Sequence, residues 1–194
     1  MTENQRAIDW EARFQAENTP WERPAENPAF LAWRASAVLM PGRILVPGAG
    51  RSPEPAALAR DGFAVTVVDA AASAVAFQRE RLAGKDAEVQ EADLFSWEPQ
   101  GTFDAVYDQT CLCALPPHHW RAYVQRLEAW LRRGGVLAIL FMQTGREGGP
   151  PFHCDLAAMR GLFSAERWEW PDMLPAAVSH PSLFSEQPVA LLRR

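Results

Sequence analysis

The sequence predicts an α/β fold, a mostly parallel sheet with helices on both of its faces. Three observations carry that expectation. Short β-rich runs alternate with helical ones along the chain. Within Arg43 to Asp69, strand, glycine turn, helix and strand follow one another in about 27 residues, the size of a βαβ unit. Near the end, Ala165 to Trp170 and Gln187 to Leu192 are joined by a proline-containing loop and read as an antiparallel terminal hairpin.

Taken in order, the elements begin with a segment carrying Ile8, Trp10, Phe14 and Trp21, which starts helical and breaks at Thr19-Pro20. A second short helix is expected from Pro28 to Leu39, so residues 1–40 form an N-terminal helical segment able to cover the sheet edge or close over a ligand. Arg43 to Pro47, Phe63 to Asp69, Phe103 to Asp108 and Val136 to Met142 read as buried strands, with Ala87 to Gln90 a weaker one. Ser52 is an expected N-cap, Pro53 the first helical residue, and Gly62 marks that helix's end. From Pro116 to Arg133, Trp120, Val124, Leu127 and Leu131 recur at helical spacing, and Arg132-Arg133-Gly134-Gly135 supplies the stop.

Composition bounds the function. With 194 residues and 22% of them charged, the chain can bury one substantial core, so a single domain, 1–194, is expected. The net charge of -5 with scattered basic residues gives no stripe to neutralise a nucleic-acid backbone, so a small-molecule partner is favoured over nucleic acid. No apolar run approaches the roughly 20 residues of a membrane span, and MTENQRAIDW lacks the regions of a signal peptide. The expectation is a cytoplasmic protein, monomeric in the absence of heptads or an edge motif. Cys111, Cys113 and Cys154 make no disulfide framework and are read as thiols.

Ile44 to Gly50 is a hydrophobic strand running into glycines before a helix, where Gly48 and Gly50 let the backbone approach a ligand closely. Asp69 ends the next strand, 19 residues past Gly50, where an open α/β sheet places the acid that accepts hydrogen bonds from a ribose diol. After the weak strand, Asp93 is positioned to accept from an adenine amino group, with Leu94 or Phe95 packing on the ring. A dinucleotide fingerprint wants a third glycine, and Pro53 stands there instead. S-adenosylmethionine carries a sulfonium and no phosphate, so the shorter glycine turn suffices for it.

With Trp10 and Phe14 four apart and Thr19-Pro20-Trp21-Glu22 added, the sequence resembles the thiopurine S-methyltransferase superfamily, especially its halide and thiol methyltransferase branch. Val46 to Gly50 is similar to that branch's V-P-G-C-G. Tyr107-Asp108-Gln109 through Ala114-Leu115 is similar to its Y-D segment, and Gly148 to Phe152 matches its G-G-P-P-[FY] loop. The resemblance implies a Rossmann-like methyltransferase fold, seven strands with an antiparallel C-terminal strand under an N-terminal helical lid. It implies S-adenosylmethionine as cofactor, enclosed by Trp10, Phe14 and Trp21 and bound by Gly48, Gly50, Asp69, Asp93, Leu94 and Gln109. Gln109 departs from the tyrosine or arginine of relatives, and Phe14 from their second tryptophan.

In-line methyl displacement mainly needs donor and acceptor aligned and water excluded. The expected acceptor is a small nucleophile, a thiol or sulfide, with thiopurine and halide also open. The acceptor side is assigned to Trp21, Phe152, His153 and His118, and His153 is the candidate base because histidine titrates near neutrality. The cysteines with His153 lack zinc-site spacing, so no metal is expected. A nicotinamide-dependent oxidoreductase, a noncatalytic S-adenosylmethionine-binding protein, and an O- or N-methyltransferase of a natural-product intermediate stand as alternatives.

Overall fold

A computed structural model describes residues 8–194. Residues 1–7, on which the expectation of no leader largely rests, lie outside that range. The sheet follows the order β3-β2-β1-β4-β5-β8-β6. It is built from β1 (Arg43–Pro47), β2 (Ala64–Asp69), β3 (Ala87–Glu91), β4 (Phe103–Asp108), β5 (Leu131–Gln143), β6 (Trp168–Glu169) and β8 (Ser185–Arg193). The first five pair in parallel; β8 runs antiparallel to β5 and to β6, the expected terminal hairpin. A short eighth strand, β7 (Val178–Ser179), pairs with β8 off the main path and was not anticipated.

Strand alternation divides the core in two, because successive side chains point to opposite faces. Leu45, Val68, Val106, Leu137, Ile139 and Phe141 pack on one face with Leu112, Tyr123, Val124, Leu127 and Phe163. These come from α5 (Cys111–Ala114), α6 (Trp120–Trp130) and the chain after α7 (Leu156–Leu162). Ile44, Val46, Val65, Val67 and Tyr107 pack on the other with Phe30 and Trp33 of α2 (Pro28–Ala35) and Leu58 of α3 (Glu54–Arg60).

Two boundaries depart from expectation. Pro53, not Ser52, is the N-cap of α3, and no side chain caps it; the Ser52 carbonyl instead accepts from Gln78 Nε2 of α4 (Ala72–Arg81) at 3.0 Å. The helix from Pro116 is a 3-10 turn, Pro117–His119, followed by α6, which stops at Trp130 because Leu131 already pairs with Phe103. Gly135 has to be glycine there. A Cβ would lie 2.9 Å from Arg132 O and 3.0 Å from Asp104 O.

The N-terminal segment lies across the C-terminal ends of β1 and β2. Asp9 caps α1 (Trp10–Gln15) by accepting from Ala12 N at 2.9 Å. Glu11 accepts from Ser73 N (2.8 Å) and Oγ (2.6 Å) at the start of α4, and these bonds hold its carboxyl below the usual range. Arg51, next to the glycine turn, donates to Glu22 at 2.6 Å and to Glu17 at 3.0 Å, and its guanidinium sits 5.4 Å from the Phe14 ring centroid. Replacing Arg51 with alanine is therefore expected to open this segment. Proteolysis between residues 9 and 23 should accelerate and S-adenosylhomocysteine should bind about three- to fivefold more weakly. An unchanged proteolysis pattern would mean that Arg51 is not the latch.

Candidate active site

A cavity opens at the C-terminal ends of β1, β2 and β4, the place where an open parallel sheet leaves a crevice. Its floor is the glycine turn. Gly48 and Gly50 have φ of +56° and +53°, a conformation that favours glycine, and a Cβ on Gly48 would approach Cys111 Sγ to 3.0 Å. Gly48 N donates to Val68 O at 2.8 Å, and buried Gln78 fixes the turn through Gly50 O at 2.9 Å.

Asp69 reaches under that turn. Its Oδ2 accepts from Gly50 N at 2.8 Å and its Oδ1 from Ala71 N at 2.9 Å, and burial pushes its carboxyl above the usual range. Each oxygen keeps one lone pair beyond these bonds, the acceptor capacity a vicinal diol requires. Asp93 sits on the neighbouring loop with its Oδ1 accepting from Phe95 N at 2.8 Å, and Leu94 and Phe95 wall the same region.

The roof is aromatic. Trp21 meets Trp10 and Phe14 edge to face, with centroids 5.5 and 5.9 Å apart, and the Phe14 ring covers Gly50. Gln109 enters from the end of β4. Tyr107 donates its hydroxyl to Gln109 Oε1 in a short contact, which leaves the Nε2 donors of Gln109 for a ligand carboxylate. Thr110 follows in the left-handed region (φ +65°), a strained position for a β-branched residue, and turns the chain into α5. Asp108 holds that turn by accepting from Cys111 N (2.9 Å) and from the Tyr123 hydroxyl (2.9 Å); burial pushes its carboxyl up to about 6.

All nine residues expected around the cofactor therefore line this one cavity: Trp10, Phe14, Trp21, Gly48, Gly50, Asp69, Asp93, Leu94 and Gln109. The donor set fits S-adenosylmethionine: a diol acceptor, an adenine-side loop, a carboxylate donor and an aromatic roof. The acceptor side is different. Trp21 lines the cavity, but Phe152, His153 and His118 do not. Phe152 folds back under Gly149, where a Cβ would lie 2.6 Å from its ring, and its N–H donates to Cys113 O at 2.8 Å. His153 Nδ1 accepts from Thr144 N at 3.1 Å, closing the chain after β5, so the candidate base belongs to the scaffold. His118 is exposed and stacks on His119.

In their place the far end of the cavity is formed by Arg23, Met142, Pro150, Pro151, His180 and Ser182. Sequence reasoning missed Arg23 and His180, whose positions depend on tertiary pairing; the one available signal was Arg23 directly following Thr19-Pro20-Trp21-Glu22. Cys111, Cys113 and Cys154 are buried free thiols, and burial pushes the Cys154 thiol up to about 12.

Comparison with known proteins gives the family. The family model described as Thiopurine S-methyltransferase (TPMT) matches residues 5–189. The thiopurine S-methyltransferase of Azotobacter vinelandii is 32% identical over 190 residues, covering 85% of this chain and 87% of that one. A probable thiol methyltransferase 2 of Arabidopsis thaliana is 30% identical over 162 residues, covering 81% and 71%. Among solved structures, the 1,6-didemethyltoxoflavin-N1-methyltransferase of Burkholderia thailandensis, with bound S-adenosylhomocysteine, superposes with a TM-score of 0.74 at 21% identity over 94% of this chain and 84% of that one. With a family model spanning nearly all of the described chain and a relative 32% identical over most of both chains, the protein belongs to the thiopurine S-methyltransferase family and is an S-adenosylmethionine-dependent methyltransferase.

Proposed function

We propose that the protein transfers the methyl group to a small sulfur nucleophile, a thiol or sulfide, held at the far end of the cavity. The observation that carries this reading is the lining away from the glycine turn, where Met142, Pro150 and Pro151 give an apolar wall and Arg23, His180 and Ser182 are its polar members. Thiopurine and thiol substrates named for its relatives support the same class.

When bound, S-adenosylmethionine supplies an electrophilic methyl group on a sulfonium sulfur. Asp69 would hold the ribose, Asp93 and Leu94 the adenine side, and the Gln109 amide the methionine carboxylate. Trp10, Phe14 and Trp21 exclude water, so the nucleophile meets the methyl in a dry, positioned site. No covalent intermediate on the protein is required. A thiol already partly ionised near neutrality needs no strong base, which agrees with His153 lying outside the cavity. We infer that it acts as a cytosolic monomer, and no helix among the described residues is long and apolar enough to cross a membrane.

The test is formation of S-adenosylhomocysteine with hydrosulfide, thiophenol, a thiopurine, iodide, catechol and a primary amine as acceptors. Turnover concentrated on the sulfur compounds is the expected result. Turnover confined to catechol or the amine refutes the sulfur reading.

A further inference from the structure

His180 stands in the turn between β7 and β8, a segment of no recognisable motif, yet its ring lines the far end of the cavity. It is 4% exposed. Its Nδ1 accepts from Ser182 N at 3.1 Å, which assigns the proton of the neutral ring to Nε2. That Nε2–H finds no partner among the described residues and its nitrogen is covered, so an acceptor reaches it only through a small shift of the turn that carries the ring. A buried donor without an acceptor is costly, and a turn-capping role accounts for Nδ1 alone.

The surroundings narrow what would complete it. Arg23, on the same wall, commits its Nη2 to Glu186 Oε2 at 2.7 Å and to Ser179 O, and its Nε, a donor, cannot accept from the ring. Glu22 is committed to Arg51. Of the other neighbours at this end, Met142, Pro150 and Pro151 offer no side-chain hydrogen bonds and Ser182 commits its hydroxyl hydrogen to Pro20 O. The His180 turn is also tied to the N-terminal segment, since Ser182 Oγ donates to Pro20 O at 3.2 Å, so a shift of one is felt by the other.

We propose that His180 is the hydrogen-bond donor that positions the acceptor, its Nε2–H bonding the nucleophilic sulfur of a thiolate or hydrosulfide and thereby selecting the ionised acceptor. This rests on the methyl-transfer reading above and adds the residue that reads the acceptor. With Nδ1 occupied and Nε2 carrying the proton, the ring donates and does not accept, so His180 is no base. Burial and Arg23 hold it near 4, which keeps it neutral throughout the working range. The donor acts on bound acceptor before and during transfer, so its loss falls mainly on KM.

The experiment combines kinetics with a titration of the wild-type protein. His180→Phe removes the donor, and its KM for thiophenol and hydrosulfide is expected to rise about 10- to 100-fold with kcat within about threefold of wild type and affinity for S-adenosylhomocysteine unchanged. His180→Gln, whose amide can donate, should recover much of that loss. Independently, the four histidines allow 15N labelling, with the His180 signal assigned from the His180→Gln spectrum. In protein saturated with S-adenosylhomocysteine, where no transfer can occur, thiophenol should shift the His180 Nε2–H resonance. An unchanged KM, or a resonance that ignores thiophenol in the saturated complex, overturns the assignment. Failure of wild-type protein to bind S-adenosylhomocysteine is a separate outcome that removes the methyl-transfer reading and this inference with it.

Discussion

Arg23→Met is expected to destabilise the protein by about 3–5 kcal/mol at pH 8. Arg23 and Glu186 form an ion pair at 2.7 Å whose side chains are 11% and 0% exposed. The pair is bordered by Asn27, whose Nδ2 donates to Glu186 Oε2 at 3.0 Å, and by Glu54, whose Oε1 accepts from Asn27 N at 2.7 Å. Removing the guanidinium leaves a buried carboxylate with one amide donor, and the second oxygen, Oε1, already has no partner among the described residues. Burial raises the Glu186 carboxyl above its ordinary range even beside Arg23, which lowers it. A raised folded value means stability that is full below the unfolded carboxylate range and lost as pH rises through the folded value. The penalty of Arg23→Met should therefore be largest at pH 8 and clearly smaller at pH 5, where Glu186 can take up a proton. Adding Glu186→Gln should restore much of the loss at pH 8. Urea unfolding at both pH values decides: a penalty independent of pH and not relieved by Glu186→Gln would show that Arg23 contributes packing and not charge balance.

Those two residues also mark where sequence reasoning stopped. β1 and β4 were legible to the residue because a buried apolar run, Ile44 to Pro47 in one and Ala105 to Tyr107 in the other, sits between turn signals, as central parallel strands require. The residues expected around the cofactor line one cavity for a related reason: Asp69 ends β2, and the glycine turn and Asp93 follow β1 and β3, so finding the strands put them at one crevice. The acceptor side had no such anchor. Gly148 to Phe152 was read as a whole, yet only its two prolines face the cavity, and both Gly149-Pro150 and Pro150-Pro151 are cis. Nothing in the local pattern tells Phe152 to pack inward against Gly149. His153 was chosen for its chemistry, but two backbone N–H groups after β5 claim its Nδ1. His180 and Arg23 come together because β7 adds to β8 and the lid returns over both, a pairing of segments more than 150 residues apart that periodicity cannot express.

Asp69→Ala is expected to weaken S-adenosylhomocysteine binding about 100-fold, the loss of two hydrogen bonds to a charged acceptor. The same carboxylate also accepts from Gly50 N and Ala71 N, so alanine orphans two donors at a buried site and should lower stability by about 2 kcal/mol as well. Asp69→Asn separates the two effects, because an amide oxygen can still accept from one of those N–H groups while the charge is gone. It should recover part of the stability and little of the affinity. A pH dependence follows from the same residue. Burial raises the free carboxyl, and a ribose diol donating to it favours the ionised form, so binding should release a proton and weaken as pH falls through that raised value. Calorimetry in buffers of differing ionisation enthalpy counts that proton. Affinity for S-adenosylhomocysteine within about threefold of wild type in Asp69→Ala, with no proton released by wild-type protein, would mean that Asp69 holds the glycine turn without touching the ribose.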